Sequence, residues 1–305
     1  TEVGSLSDLK RAHQSALNRI EHGKPLNTVE KPKVFDRVFY ESKERLLWRP
    51  FEVFELRRDD GGYFDYPQDR LIHTAGMVRH LAIAAMEKAL PEGVDAEWVN
   101  SYVAGHNCND VADHRQFSYL PLPSMGHRHA DHKVRRVMIA APVGDDRLLQ
   151  HLVRRLNGQQ LKPTAQTRLD STPTLVRVQH DKVVRFYTQS ANVWASVTPV
   201  ILPGHDDHKP DKTRKLIEKA LAQSGIEQPC EFEWSAFSQF PKSLSAHKYG
   251  RNRRPVGYFR PSHLLSQTAV HLKLRFHNGL QVPGPLVIGA GRHCGLGVFA
   301  PVDKD

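Results

Sequence analysis

The chain has 305 residues, 39% of them hydrophobic, enough to bury one large core or two ordinary ones, and two domains of about 100–150 residues are expected. Its 43 Lys+Arg against 33 Asp+Glu give a formal net charge of +10, a balance that favours a polyanionic partner. Three scattered cysteines exclude a disulfide framework or a Cys-rich zinc site, and no run approaches the roughly 18–20 apolar residues of a membrane span, so a soluble chain in a reducing cytoplasm is expected.

Leu6, Leu9, Ala12, Ala16, Leu17 and Ile20 recur at helical spacing over residues 5–22, and Gly23 with Pro25 ends that helix. The chain begins without methionine and runs almost directly into this helix, which suggests a piece of a longer polypeptide. Phe51–Leu56 reads as a strand, a polar loop with Gly61, Gly62 and Pro67 follows, and Arg70–Leu90 reads as a helix. After a loop-rich insertion over 91–115 come two strands, Phe117–Leu122 and Val134–Ala141, then a helix over Leu148–Leu156 with Asp145 and Asp146 at its start, where they suit the helix dipole. Thr174–Val178 and Val183–Tyr187 read as a hairpin that supplies a fourth strand, completing the order βαββαβ.

A second unit is expected from Val193–Leu202, a strand interrupted by Pro199, through a helix over Asp211–Gln223, a strand over Cys230–Phe237, a basic loop over Lys242–Arg260, and Ala269–Phe276, which alternates at period two. A glycine-rich turn closes the chain, and no clear second helix is visible in this unit. The expected fold is therefore α+β: two tandem ferredoxin-like (RRM-like) βαββαβ units with antiparallel sheets and a C-terminal Gly-rich loop. The expected division is 1–47 for the N-terminal helix and linker, 48–190 for the first ferredoxin-like domain, and 191–305 for the second.

Three stretches carry chemistry. Eighteen histidines suit proton transfer or metal binding, and the densest run, Gly126-His-Arg-His-Ala-Asp-His132, lies in the bend between two strands. As letters, His127, His129, Asp131 and His132 match His-x-His-x-Asp-His, the zinc motif of metallo-β-lactamase-like hydrolases. However, Lys133–Ile139 looks like a strand carrying three cations, where that fold continues into small residues and a helix. The same imidazoles also suit metal-free RNA cleavage, which needs one group to take the 2′-OH proton and another to protonate the departing 5′-oxygen. A solvated turn with no chemistry is the third possibility.

The second stretch, Pro283–Phe299, interleaves Gly284, Gly289, Gly291, Gly295 and Gly297 with strand formers. Its bare backbone suits close approach to phosphate, with Arg292 and His293 at the tip, although a bulge or tight hairpin has the same composition. The third is the basic loop with Lys248, Arg251, Arg253 and Arg254 beside Tyr249 and Tyr258, suited to phosphates with an aromatic ring stacking on an unpaired base. The histidine bend and the glycine turn are expected to share one surface.

Gly105-His106, His114–Pro123, Gly126–Asp131 and Gly289–Gly297, taken in order, resemble the RAMP superfamily of CRISPR-associated RNA-binding proteins. Most closely, the set resembles the fused backbone-subunit/ribonuclease protein of type I subtype G (formerly U) systems, over most of residues 48–301. The resemblance implies that residues 1–47 end the preceding backbone-subunit half. It also implies endonucleolytic cleavage of precursor CRISPR RNA within its repeats, with crRNA and the backbone and large subunits of a type I interference complex as partners and with no cofactor or metal. A non-catalytic crRNA-binding subunit of the same complex is the alternative it leaves open. His129 and then His127 are the expected catalytic groups, with His106 and His114 positioning or contacting RNA. Gly289, Gly291, Arg292, His293, Gly295 and Gly297 are the expected RNA contacts of the glycine turn. Glycine usually occupies the family position of His132, so His132 is not expected to be essential.

Overall fold

Phe51–Arg57 (β1) alternates apolar side chains to both faces, and its residues Val53 to Leu56 are buried, which marks a central strand. In the computed structural model, which describes residues 5–23, 49–105, 115–126, 129–163, 172–178, 181–246 and 257–302, β1 pairs antiparallel with two neighbours. One is Val134–Ala140 (β3), with Phe54 opposite Val137; the other is Thr174–Val178 (β4), with Phe54 opposite Arg177. Ser118–Pro123 (β2) completes the sheet on the far side of β3, giving the order β2-β3-β1-β4.

Two helices cover one face of that sheet. Leu71–Lys88 (α2) buries Leu71, Ala75, Val78, Ala82 and Met86, and Asp146–Leu156 (α4) buries Leu149, Leu152, Val153 and Leu156, each a stripe at three- and four-residue steps. They close on Phe54, Leu56, Val137, Ile139 and Leu175, and burying each such side chain stabilises the fold by roughly 1.5–3 kcal/mol. A three-residue helical turn, Ala96–Trp98 (α3), runs into a π-turn over Val99–Val103 within the insertion between α2 and β2. The Asp145 carboxylate at the start of α4 makes no capping bond; it accepts from the Tyr102 hydroxyl at 2.5 Å and from Arg115 at 2.6 Å.

The expected hairpin at 174–187 is corrected: Val183–Tyr187 lies within a helix, Lys182–Thr188 (α5). Asp181 decides this locally, because its carboxylate accepts from the amides of Val183 at 2.8 Å and Val184 at 3.0 Å and so caps the first turn against the strand preference of two valines. Its other oxygen pairs with Arg136 at 2.6 Å.

Ser190–Ala191 (β5) then leads into Val193–Ser196 (β6) and Val200–Ile201 (β7), which both pair with Ala269–Phe276 (β9). They behave as one strand with an interruption at Val197–Pro199, where the register along β9 shifts by two residues. Pro210–Gln223 (α6) follows, and Cys230–Ser235 (β8) pairs with the other edge of β9. Val282–Pro283 (β10) pairs with β5, and Phe299–Pro301 (β11) pairs with β6. The second sheet thus runs β11-β6-β9-β8, the arrangement of the first, with the segment from His277 to Val298 standing where a second helix would be. The fold is α+β with two tandem ferredoxin-like units and antiparallel sheets.

The second unit has its own core, with Ile217, Ala220 and Leu221 of α6 against Leu272, Leu274 and Phe299. A third cluster joins the units: Val53, Leu120, Leu122 and Met138 from the uncovered face of the first sheet meet Tyr187 of α5 and Val197, Val287, Val298 and Ala300. By contacts the chain separates into residues 1–46 and 47–305, and the former contains a helix, Ser5–Glu21 (α1).

Candidate functional site

The bend after β2 is closed by two backbone bonds, Ser124 N–H to Lys133 O at 3.0 Å and His132 N–H to Ser124 O at 3.2 Å. Gly126 turns left-handed at φ +75°, and a Cβ there would stand 2.7 Å from the Phe186 ring. His129 is exposed on the turn, whereas His127 lies outside the described residues. Both oxygens of Asp131 are held by Arg135, at 2.8 and 2.6 Å, and this hydrogen bonding keeps the carboxyl down at about 2. Lys133 pairs with Asp65.

His132 is 4% exposed and sits at φ +59°, the left-handed region in which glycine is strain-free. Its Nδ1 lies 3.5 Å from the Ser243 hydroxyl, and burial, with Lys242 second, pushes its pKa below the ordinary histidine value. Lys242 donates from Nζ to Ala130 O at 3.1 Å and accepts at its own carbonyl from Gln68 Nε2 at 2.9 Å; Gln68 Oε1 accepts from the Tyr258 hydroxyl at 3.0 Å. The bend of the first unit is thereby tied to the loop after β8 in the second.

An open cleft of about 370 Å³ lies along this junction, walled by Pro67, Gln68, Asp69, His132, Leu244 and Gly257, with Asp131 and Lys133 also on its lining. Lys248, Arg251, Arg253 and Arg254 lie outside the described residues. The described chain stops two residues after Leu244 and resumes at Gly257, and both Leu244 and Gly257 line the cleft.

The glycine turn lies elsewhere. His293 O accepts from Tyr119 N–H at 3.2 Å and its Nδ1 meets the Ser118 hydroxyl at 3.1 Å, at the start of β2, while the histidine bend is at its end. A six-residue strand separates them by about 20 Å. The glycines make room for neighbouring protein: a Cβ on Gly295 would stand 2.6 Å from Pro121, and one on Gly297 would stand 1.8 Å from Ile288 O, with close contacts also at Gly289 and Gly291. Amides of Ala290, Arg292, Cys294 and Leu296 donate to carbonyls of Ile201, Gly289 and Gly291. Arg292, 7% exposed, braces the turn from inside by donating to Gly289 O at 3.1 Å, and burial lowers its pKa. On the far side of Ser118, Arg49 donates to the same hydroxyl at 3.0 Å and to Ala141 O at 3.2 Å; burial first, then Arg292, brings its pKa down to about 10. His106 and His114 lie outside the described residues, between Gly105 and Arg115.

Two features of the junction have no sequence signature. Gln68 and Asp69 belong to what reads as a polar loop, yet they line the cleft. His73, in the first turn of α2, meets the Tyr66 hydroxyl through Nδ1 at 3.1 Å and the Phe259 ring at 5.8 Å, and burial, then Arg70, lowers its pKa. Phe259 is nearly two hundred residues downstream, so only folding reveals the contact. Among the described residues, no three His, Cys, Asp or Glu side chains converge as metal ligands would.

Solved structures similar to this chain include a Cas6 product complex, at 16% identity, covering 84% of this chain and 100% of that one with a TM-score of 0.39. A Cas6b structure matches at 13% identity, covering 83% and 99% with a TM-score of 0.40, and a RAMP protein binding different RNA substrates matches at 10%, covering 84% and 99% with a TM-score of 0.40. No curated protein sequence matches. The model of the family described as "CRISPR-associated protein, GSU0054 family" matches residues 2–301, nearly the whole chain. On that match, the chain belongs to the GSU0054 family of CRISPR-associated proteins.

Proposed function

We propose that this protein is a metal-independent endoribonuclease that cleaves precursor CRISPR RNA within its repeats and remains part of a type I interference complex with backbone and large subunits. The substrate carries its own nucleophile. One imidazole takes the 2′-OH proton, the oxygen attacks the adjacent phosphorus, and a second imidazolium protonates the departing 5′-oxygen, leaving a 2′,3′-cyclic phosphate and a 5′-hydroxyl. His129 and His127 supply these two roles, and His106 and His114 position or contact the RNA. Cations of the basic loop, Lys248, Arg251, Arg253 and Arg254, neutralise phosphates on either side of the cut. The glycine turn, with His293, holds a more distant part of the strand, while the buried Arg292 braces the turn from inside rather than touching RNA. The subtype G fusion is the reading of the family motifs that accompanies this role.

One observation carries the proposal: the C-terminal end of the histidine bend, through Asp131, His132 and Lys133, lines a single open cleft together with Leu244 and Gly257, which flank the stretch of sequence that holds the basic residues. The commitment of both Asp131 oxygens to Arg135 favours the metal-free route over a dinuclear centre, in which that carboxylate would be a ligand. Incubating the protein with repeat RNA in EDTA tests it. Fragments ending in cyclic phosphate, lost in His129→Ala while RNA affinity is kept, are expected. Intact but bound RNA would make the chain a non-catalytic crRNA-binding subunit, and cleavage abolished by the chelator would make it a metal hydrolase.

A further inference from the structure

The cleft at the junction has one chemically distinctive wall. Of its polar side chains, Gln68 is committed at both ends of its amide, Asp131 to Arg135, and Lys133 to Asp65. Asp69 differs. Its backbone is fixed, since its carbonyl accepts from Phe259 N–H at 2.7 Å, but the ion pair of its carboxylate among the described residues is a long contact of 3.8 Å to Arg70 Nε, and the side chain is 35% exposed. Asp69 therefore offers two acceptor oxygens beside a wall made of Pro67, Leu244, Gly257 and the buried His132 ring.

The Asp69 carboxylate repels phosphate, so the group that fits beside it is a base edge rather than the backbone. The volume lies at the lower end of the roughly 300–1,000 Å³ of small-ligand pockets. Unpaired bases are bound by covering their faces and reading their Watson–Crick edges. Two acceptors side by side match two donors side by side, and among the four RNA bases only guanine presents them, at N1–H and N2–H. Adenine and cytosine pair an amino donor with a ring-nitrogen acceptor, and uracil flanks its one imino donor with carbonyl oxygens.

We propose that this cleft takes one unpaired guanine, whose N1–H and N2–H donate to the Asp69 carboxylate while Pro67, Leu244 and the His132 ring cover its faces. The proposal rests on the RNA reading above and adds to it a base-specific contact that sets where along a repeat the protein docks. No bond is made or broken in this step.

The test uses the full chain and short single-stranded 2′-O-methyl oligonucleotides of A and U that differ at one central position, followed by fluorescence anisotropy. Guanine is expected to bind at least about tenfold tighter than adenine or cytosine, with inosine, which lacks the N2 amine, in between. The nearly isosteric Asp69→Asn variant is expected to lose this ranking while retaining the affinity shown by the oligonucleotide with central adenine. Saturation-transfer NMR with guanosine 5′-monophosphate alone, with and without the substitution, forms a second arm. Oligonucleotides that bind with equal affinity whatever the central base, or a ranking that survives Asp69→Asn, overturn the guanine pocket and leave the RNA reading in place. If no oligonucleotide binds but the mononucleotide signal is present and lost on substitution, the pocket stands and the ribonuclease reading falls. Failure of both arms overturns both.

Discussion

Arg135 grips Asp131 across the end of the histidine bend, with Nη1 on one carboxylate oxygen at 2.8 Å and Nη2 on the other at 2.6 Å. The pair fixes the turn that presents the exposed His129 and neutralises the bend's own carboxylate with a guanidinium. Asp131 also receives the Lys133 amide at 3.1 Å, so the strand that follows the bend starts from the same anchor.

The Asp131 carboxyl, held at about 2 by Arg135, is depressed in the folded state relative to the unfolded chain. Its contribution is present above the unfolded value and is lost as pH falls toward about 2. The pair is partly exposed, 23% for Arg135 and 39% for Asp131, so solvent screening limits the effect to less than about 1 kcal/mol. Urea unfolding of Asp131→Asn should show a small, constant deficit between pH 7 and pH 5 that narrows below pH 4. A deficit that grows on acidification would contradict the assignment.

Three imidazoles, His73, His132 and His271, have pKa values lowered chiefly by burial. His271 is the most enclosed, between Ser196 and the Leu244 carbonyl. Because the unfolded chain binds their protons first, stability should fall as pH drops from about 7 through the ordinary histidine range, with a slope of at most about 1.4 kcal/mol per pH unit for each group. Chemical denaturation at pH 7.5, 6.5 and 5.5 measures it. Replacing His271 by Gln should flatten the slope, and a wild-type stability that does not change over this range would refute the prediction.

His132 reverses a usual ranking. At φ +59° alanine carries the left-handed penalty and glycine does not, so His132→Gly should be more stable than His132→Ala by about 1 kcal/mol, opposite to the order in a helix. Parallel urea titrations of the two variants decide it.

Gly297→Ala places a methyl group 1.8 Å from Ile288 O at a positive φ, and both backbone strain and overlap act against it. A loss of more than about 2 kcal/mol is expected. Gly144, also at positive φ but with open space around its added Cβ, should lose only about 1–2 kcal/mol on the same change. Thermal melts that rank the two variants equally would show that packing against Ile288 is not what requires glycine at 297.

Local periodicity carried much of the architecture. The strand-forming run of Phe51–Leu56, the alternation over Ala269–Phe276 and the apolar stripes of α2 and α4 are statements about single segments, and each segment formed as its pattern implied. Pro199 marked a real interruption between β6 and β7. Val183–Tyr187 misled because a single capping carboxylate, Asp181, outweighed the β preference of its neighbours.

By itself, then, the sequence determined two antiparallel α+β units, the absent second helix of the latter, a cationic loop and a histidine bend, all properties written in residues close together along the chain. Tertiary structure alone decided that the bend and the roots of the basic loop share a cleft, that Asp69 and His73 belong to that junction, and that the glycine turn lies at the other end of β2 with its missing side chains replaced by Pro121 and Ile288. These contacts join residues from distant parts of the chain, and no local pattern encodes them, because they exist only once both units have closed on the core they share.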